Sequence, residues 1–195
     1  MYKRLYMSIE KETTGQKVVL LGDSGVGKTS IVLRLSERVF RRNTAPTVGS
    51  GVITKEIETP SGPVTLSIWD TAGEERYKTF TSLYTQNAVG CVAVFDLTCT
   101  ESFDALPNWI EIFEQNAEPD HIICVVGNKS DIEESRTVDY NKAFEWCENR
   151  GYKYSEVSAK TGENVDLVFS GIAIALGPRA MAETRIEPND EKKCC

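Results

Sequence analysis

The chain has 195 residues, the length of about one domain. Its hydrophobic share of 41% and charged share of 26% are ordinary for a soluble globular protein, and its formal charge of −7 argues against general nucleic-acid binding. No apolar run approaches the ~18 residues of a membrane span, and Met1–Gln16 lacks the apolar centre of a secretory signal.

Residues 1–14 read as a flexible extension. Lys17–Leu21 is a short apolar strand, followed by a glycine-rich turn and a helix over Lys28–Ser36. Val52–Glu58 and Val64–Asp70 read as two strands joined by a turn at Pro60–Pro63. The near-continuous apolar runs Cys91–Asp96 and Ile122–Gly127 suit strands covered on both faces. Between them Phe103, Leu106, Ile110 and Phe113 recur at helical spacing over Glu101–Gln115. Tyr140–Asn149 and Val165–Leu176 predict two more helices, with Tyr154–Val157 a strand between them. This alternation predicts an α/β fold around a mostly parallel sheet. Gly177-Pro178 stops the last helix, and the polar stretch to Cys195 reads as a flexible tail.

Cys91, Cys99, Cys124 and Cys147 are scattered, no CxxC pair accompanies a histidine, and His121 is the only one. Buried free thiols in a reducing compartment fit this better than disulfides or zinc. Cys194 and Cys195 are adjacent, where a mutual disulfide would be strained.

Gly22-Asp23-Ser24-Gly25-Val26-Gly27-Lys28-Thr29 matches GxxxxGK[ST] between a predicted strand and a predicted helix. Glycines let backbone N–H groups close on phosphates, and the helix N-terminus adds positive charge. Lys28 would hold the β- and γ-phosphates, and Thr29 would coordinate Mg²⁺. Asn128-Lys129-Ser130-Asp131 follows a predicted strand. A carboxylate there only accepts hydrogen bonds, and guanine presents N1–H and its 2-amino group side by side, whereas adenine does not. Trp69-Asp70-Thr71-Ala72-Gly73 ends another strand. Asp70 can support Mg²⁺, and Gly73 can admit a backbone N–H to a γ-phosphate. Thr47, in Ala45–Gly49, offers a second Mg²⁺ hydroxyl.

In this order GDSGVGKTS, PTVG, WDTAG, NKSD and Glu156-Val157-Ser158-Ala159-Lys160 resemble the Ras-like small GTPases, and in detail the Rab family. Arg76–Ser82, Gly90–Thr98 and Asn108-Trp109-Ile110 reinforce the likeness, which spans about residues 15–176 and the terminal cysteines. It implies a P-loop NTPase of the small G-protein fold, with a six-stranded, mostly parallel sheet flanked by about five helices. The GTPase domain would be 15–176 and the tail 177–195.

The resemblance also implies roles. Ser24, Gly25, Val26, Gly27, Lys28, Thr29 and Ser30 would bind the phosphates. Phe40 would lie against the guanine, and Asn128, Lys129 and Asp131 would grip it, with Ser158, Ala159 and Lys160 completing the pocket. Thr29, Thr47 and Asp70 would serve Mg²⁺. Residues 40–49 and 71–84 would be switch loops ordered by the γ-phosphate. The implied activity is slow GTP hydrolysis with Lys28, Gly73 and Glu74 at the reacting centre. The alternative is a GTP-binding scaffold with negligible turnover. The implied partners are effectors, an exchange factor, a TBC-type activating protein and a prenyl-binding escort or dissociation inhibitor. The chain would be a monomer on the cytoplasmic face of an intracellular membrane, cycling with the cytosol in vesicle traffic.

Two positions depart from the family. Glu74 stands where Gln is usual: it accepts from a water but, ionised, cannot donate. TBC-type activating proteins can supply both an Arg and a Gln in trans. Val52 replaces an aromatic that would face effectors together with Trp69 and Tyr84. Cys194-Cys195 resembles a doubly geranylgeranylated ending, and two chains are what stable anchoring needs.

Overall fold

Alternate residues of the apolar runs serve two different cores. Val18 and Leu20 pack into one hydrophobic layer, while Val19 and Leu21 pack into the other. Val92 and Val94 divide from Cys91, Ala93 and Phe95 in the same way. A strand covered on both faces has no polar side, which is why these runs read as continuous apolar segments.

The computed structural model describes residues 15–42, 45–47, 49–73 and 78–178. Among them six strands form one sheet: β1 (Gln16–Leu21), β2 (Ser50–Thr59), β3 (Gly62–Thr71), β4 (Gly90–Asp96), β5 (Ile122–Asn128) and β6 (Lys153–Val157). The spatial order is β2-β3-β1-β4-β5-β6. Only β2 runs antiparallel, paired with β3 from Ser50↔Thr71 to Thr59↔Gly62. The other pairs are parallel. The helices are α1 (Lys28–Glu37), α2 (Lys78–Thr85), α3 (Thr100–Asp104), α4 (Leu106–Glu114), α5 (Tyr140–Glu148) and α6 (Val165–Leu176). This is the expected small G-protein fold, a mostly parallel six-stranded sheet between helices.

Three details differ from the sequence expectations. The single helix over 101–115 is divided at Ala105, because Pro107 has no N–H for the helical ladder and the Asn108 N–H closes a tight turn on the Ala105 carbonyl at 3.2 Å. Helix α2 has no counterpart among the predicted elements: its Thr-rich segment has weak helical propensity. The hairpin turn is Pro60-Ser61 alone, and Pro63 lies in β3 beyond the pairing with β1.

Local chemistry sets the helix ends. Asp139 caps α5, its Oδ1 accepting from the N–H groups of Asn141 at 2.9 Å and Lys142 at 3.1 Å. Cys91, Cys124 and Cys147 are buried free thiols, and burial pushes Cys124 and Cys147 up to about 12, so they stay protonated. No described helix is long and apolar enough to cross a membrane.

Phe169 is fully buried on α6 in the layer that also holds α1. Phe169→Ala is expected to destabilise the protein by about 3–5 kcal/mol, seen as a lower urea midpoint at unchanged slope.

Candidate functional site

The motif segments after β1, β3, β5 and β6 lie at the carboxyl edge of the parallel strands, and Ala45–Gly49 enters the antiparallel β2 at that same edge. The loop after β1 leads through Gly27 (φ 101°) into α1, whose first turn has no side-chain cap and no acidic residue. Its N–H groups are therefore available to an anion. Lys28 is 5% exposed, and its Nζ donates to the carbonyls of Gly22 at 2.7 Å and Asp23 at 2.8 Å. Burial pulls the ammonium down to about 8 against the opposing charges of Asp70 and Asp23. A buried cation held mostly by neutral carbonyls favours an anionic ligand. Gly73 lies so close that a Cβ there would meet Lys28 Nζ at 2.3 Å and the Asp23 carbonyl at 2.5 Å. Trp109 Nε1 donates to Asp23 Oδ1 at 2.7 Å, fastening the loop to α4.

Beside Lys28, three oxygen-bearing side chains meet. Thr29 Oγ1 donates to Asp70 Oδ2 at 2.7 Å and lies 2.8 Å from Thr47 Oγ1. Burial raises the Asp70 carboxyl above its ordinary range, opposed by the Thr29 bond, Lys28 and Thr47. Asp70 Oδ1 is buried with no hydrogen-bond partner among the described residues. A buried, bare carboxylate oxygen next to two hydroxyls suits a hard, hydrated divalent cation, so this donor set fits Mg²⁺.

The base end is built differently. Asn128 is buried, donating from Nδ2 to the Val26 carbonyl at 2.8 Å and accepting at Oδ1 from the Ala159 N–H at 3.1 Å. Both ends of its amide are thus engaged in joining loops. Lys129, at φ 71°, donates to Asp96 Oδ2 at 2.5 Å, and Asp96 Oδ1 accepts from the Thr98 N–H at 2.9 Å and Thr98 Oγ1 at 2.7 Å. Asp131 accepts from Ser158 Oγ at 2.7 Å and Lys160 Nζ at 2.9 Å. Burial alone would raise this carboxyl, but those bonds and the Lys160 charge hold it below the ordinary carboxylate range. Asp131 is therefore a fixed anion with lone pairs to spare.

One cavity of about 320 Å³ runs past both ends. Ser24, Gly25, Gly27, Lys28, Thr29, Ser30, Thr47 and Gly73 line it with Phe40, Asn128, Lys129, Asp131, Ala159 and Lys160. Val26 is buried instead, and Ser158 contributes through Asp131. Arg41, Arg42 and Ile132, to which the sequence assigns no role, also line the cavity, as do Ala45, Pro46 and Thr71, which lie in the motif segments without a role of their own. The Arg41-Arg42 doublet beside Phe40 is a readable signal, whereas Ile132 carries none. Asp96 was also missed: only the β4–β5 register, Asp96↔Asn128, brings it to Lys129.

Val52, Trp69 and Tyr84 do come together. Val52 pairs with Trp69 across β2–β3, and the Trp69 and Tyr84 rings are 6.3 Å apart. Trp69 is fully buried with Lys17 Nζ 4.4 Å from its ring centroid, so only Val52 and Tyr84 offer partly exposed surface. Glu74, Cys194 and Cys195 lie outside the described residues, as do the extension 1–14 and the tail from 179.

A family model described as the Ras family matches residues 17–176. The human "Ras-related protein Rab-30" is 38% identical over 180 residues, covering 92% of this chain and 89% of the relative. The dog "Ras-related protein Rab-13" is 34% identical over 183 residues, covering 92% and 90%. The Arabidopsis thaliana "Ras-related protein RABE1e" is 38% identical over 178 residues, covering 90% and 82%.

Asp131 offers acceptors only, so Asp131→Asn replaces one of them by a donor. GDP affinity is expected to fall at least about a hundredfold, while xanthosine diphosphate gains relative to GDP. Competition against a fluorescent guanine nucleotide measures both, and equal displacement of that probe by ATP and GTP from the unsubstituted protein contradicts guanine reading.

Proposed function

The chain belongs to the Ras family of small GTPases, in its Rab branch, and from that premise we propose that it is a GTP/GDP switch in vesicle traffic. In this reading it hydrolyses GTP to GDP and phosphate and recruits effectors while GTP is bound. The observation that carries it is one cavity lined by a buried Lys28, Thr29 and Thr47 at one end, with Asp70 bonded to Thr29 behind them, and by an Asp131 fixed as an anion at the other.

Each group then has a task. The first-turn N–H groups of α1 and Lys28 hold the β- and γ-phosphates, and Asp131 takes the two guanine donors. Thr29 and Thr47 would hold Mg²⁺ through their hydroxyls and Asp70 through water, and the ion supplies charge neutralisation at the phosphate oxygens. A water adds to the γ-phosphorus as the bond to the β–γ bridging oxygen breaks, and its proton ends on the released phosphate. The Gly73 N–H approaches the γ-phosphate, and Glu74 accepts from the water.

The exchange factor, TBC-type activating protein, effectors and dissociation inhibitor are proposed on the same family reading. So is lipid attachment at Cys194 and Cys195, which would place the chain on the cytoplasmic face of an intracellular membrane, in exchange with the cytosol.

Two measurements test this. Glu74→Gln removes a charge and adds a donor at nearly constant volume. It is expected to change single-turnover GTP hydrolysis by at least about tenfold, roughly 1.4 kcal/mol of barrier, while GDP dissociation stays within about twofold. Hydrolysis unchanged within about twofold removes Glu74 from the reacting centre. Hydrolysis absent in the unsubstituted protein, even with an activating protein, favours the GTP-binding scaffold. Changing both Cys194 and Cys195 to Ser is expected to move the chain from the membrane to the soluble fraction, and unchanged fractionation contradicts lipid anchoring.

A further inference from the structure

Arg34 lies on α1, well past the phosphate-binding first turn, and does not line the nucleotide cavity. Its guanidinium nevertheless reaches the base end. Nε donates to the Ala159 carbonyl at 2.9 Å and Nη2 to the Lys160 carbonyl at 2.5 Å. Nη1 donates to the carbonyl of Arg38, the left-handed residue that ends α1, at 2.7 Å. The stem fits against Gly162, where an added Cβ would stand 3.3 Å from Arg34 Cδ.

The two loop carbonyls belong to consecutive peptides, flanked by the side chains that fix Asp131: Ser158 Oγ on one carboxylate oxygen and Lys160 Nζ on the other. A planar fork can donate to two adjacent carbonyls in one orientation, which a lysine ammonium on a flexible stem does not reproduce. We infer that Arg34 is a positioning residue for guanine recognition, clamping the 158–160 loop to α1 so that Ser158 and Lys160 hold the Asp131 carboxylate where it meets the base. The inference rests on the reading of Asp131 as the guanine contact. It adds that the helix opening at the phosphates also sets the aim of the base reader.

The distinguishing prediction compares two nucleotides. GDP can give Asp131 two donors, N1–H and the 2-amino group, whereas inosine diphosphate lacks the 2-amino group. Loosening Asp131 therefore weakens GDP more than inosine diphosphate, while general damage to the fold weakens both alike. The dissociation rates of both nucleotides are measured on the full chain with and without Arg34→Gln and Arg34→Lys. Arg34→Gln is expected to speed GDP release about tenfold and inosine diphosphate release by no more than about threefold, with Arg34→Lys in between.

Equal acceleration of both nucleotides, or none, overturns the positioning role. So does failure of both variants to fold, which would assign Arg34 to the stability of the domain. If the unsubstituted protein does not itself prefer GDP over inosine diphosphate, the reading of Asp131 fails instead, and the proposal falls with it.

Discussion

The buried carboxamide of Asn128 donates to the Val26 carbonyl and accepts from the Ala159 N–H, so one side chain joins the phosphate loop to the base loop across sequence separations of 102 and 31 residues. The bridge depends on Gly27, where a Cβ would stand 2.2 Å from Asn128 Nδ2. Any other residue at position 27 would displace the amide, and a displaced amide in this buried location leaves a carbonyl and an N–H without their partner. An unmet buried polar group costs about 1–3 kcal/mol. The glycine commonly read as a phosphate-loop requirement is therefore also a requirement of the base pocket, and the parallel β5–β6 pairing that sets Asn128 opposite Val157 is what presents the amide to both loops.

The two ends of the cavity are electrostatically unlike. At the base end Asp131 has its own donors, and Lys129 has Asp96, so that end is internally balanced. At the phosphate end burial depresses Lys28 and raises Asp70, and Asp70 keeps a bare oxygen. Both shifts favour the neutral forms, and each is relieved by a ligand of the opposite sign. An anion near Lys28 and a cation near Asp70 stabilise the charged forms together, so phosphate and divalent cation reinforce one another there. Ligands that bind the folded chain and not the unfolded one would raise its stability with their concentration. The base end, already balanced, is better placed to discriminate between bases.

What was legible in the sequence follows from how local each feature is. The phosphate loop and the Trp69–Gly73 segment are contiguous, so the residue types alone place Lys28, Thr29, Asp70 and Gly73 beside phosphate chemistry. The pairing of Asp131 with Ser158 and Lys160 spans 27 and 29 residues and was accessible only through family likeness. Asp96 and Arg34 act through registers and helix placement that no short motif encodes. Trp69 shows a different limit: strand alternation gives it a face, but only the assembled sheet shows that this face is the core shared with Phe95 and Trp109. Helix α2 is held by packing on β3 and α4 more than by its own propensity, and propensity is all that a single sequence displays.

In the proposed reading, the segment around Thr47 is the part of the site that would respond to the γ-phosphate. Among the described residues, the Thr47 hydroxyl meets Thr29 and faces Asp70, and the Ala72 N–H donates to the Gly49 carbonyl at 3.1 Å. A neutral hydrogen bond contributes about 1 kcal/mol net, so each of these contacts is weak by itself. Reversing a two-state preference from 1:99 to 99:1 takes about 5.5 kcal/mol of differential affinity. A γ-phosphate with its cation can offer several charge-assisted contacts, each about twice as strong as a neutral one. In the proposed reading one phosphoryl group with its cation would bias this segment, whereas Lys28, Asn128 and Asp131 are tied into helix and strand ends.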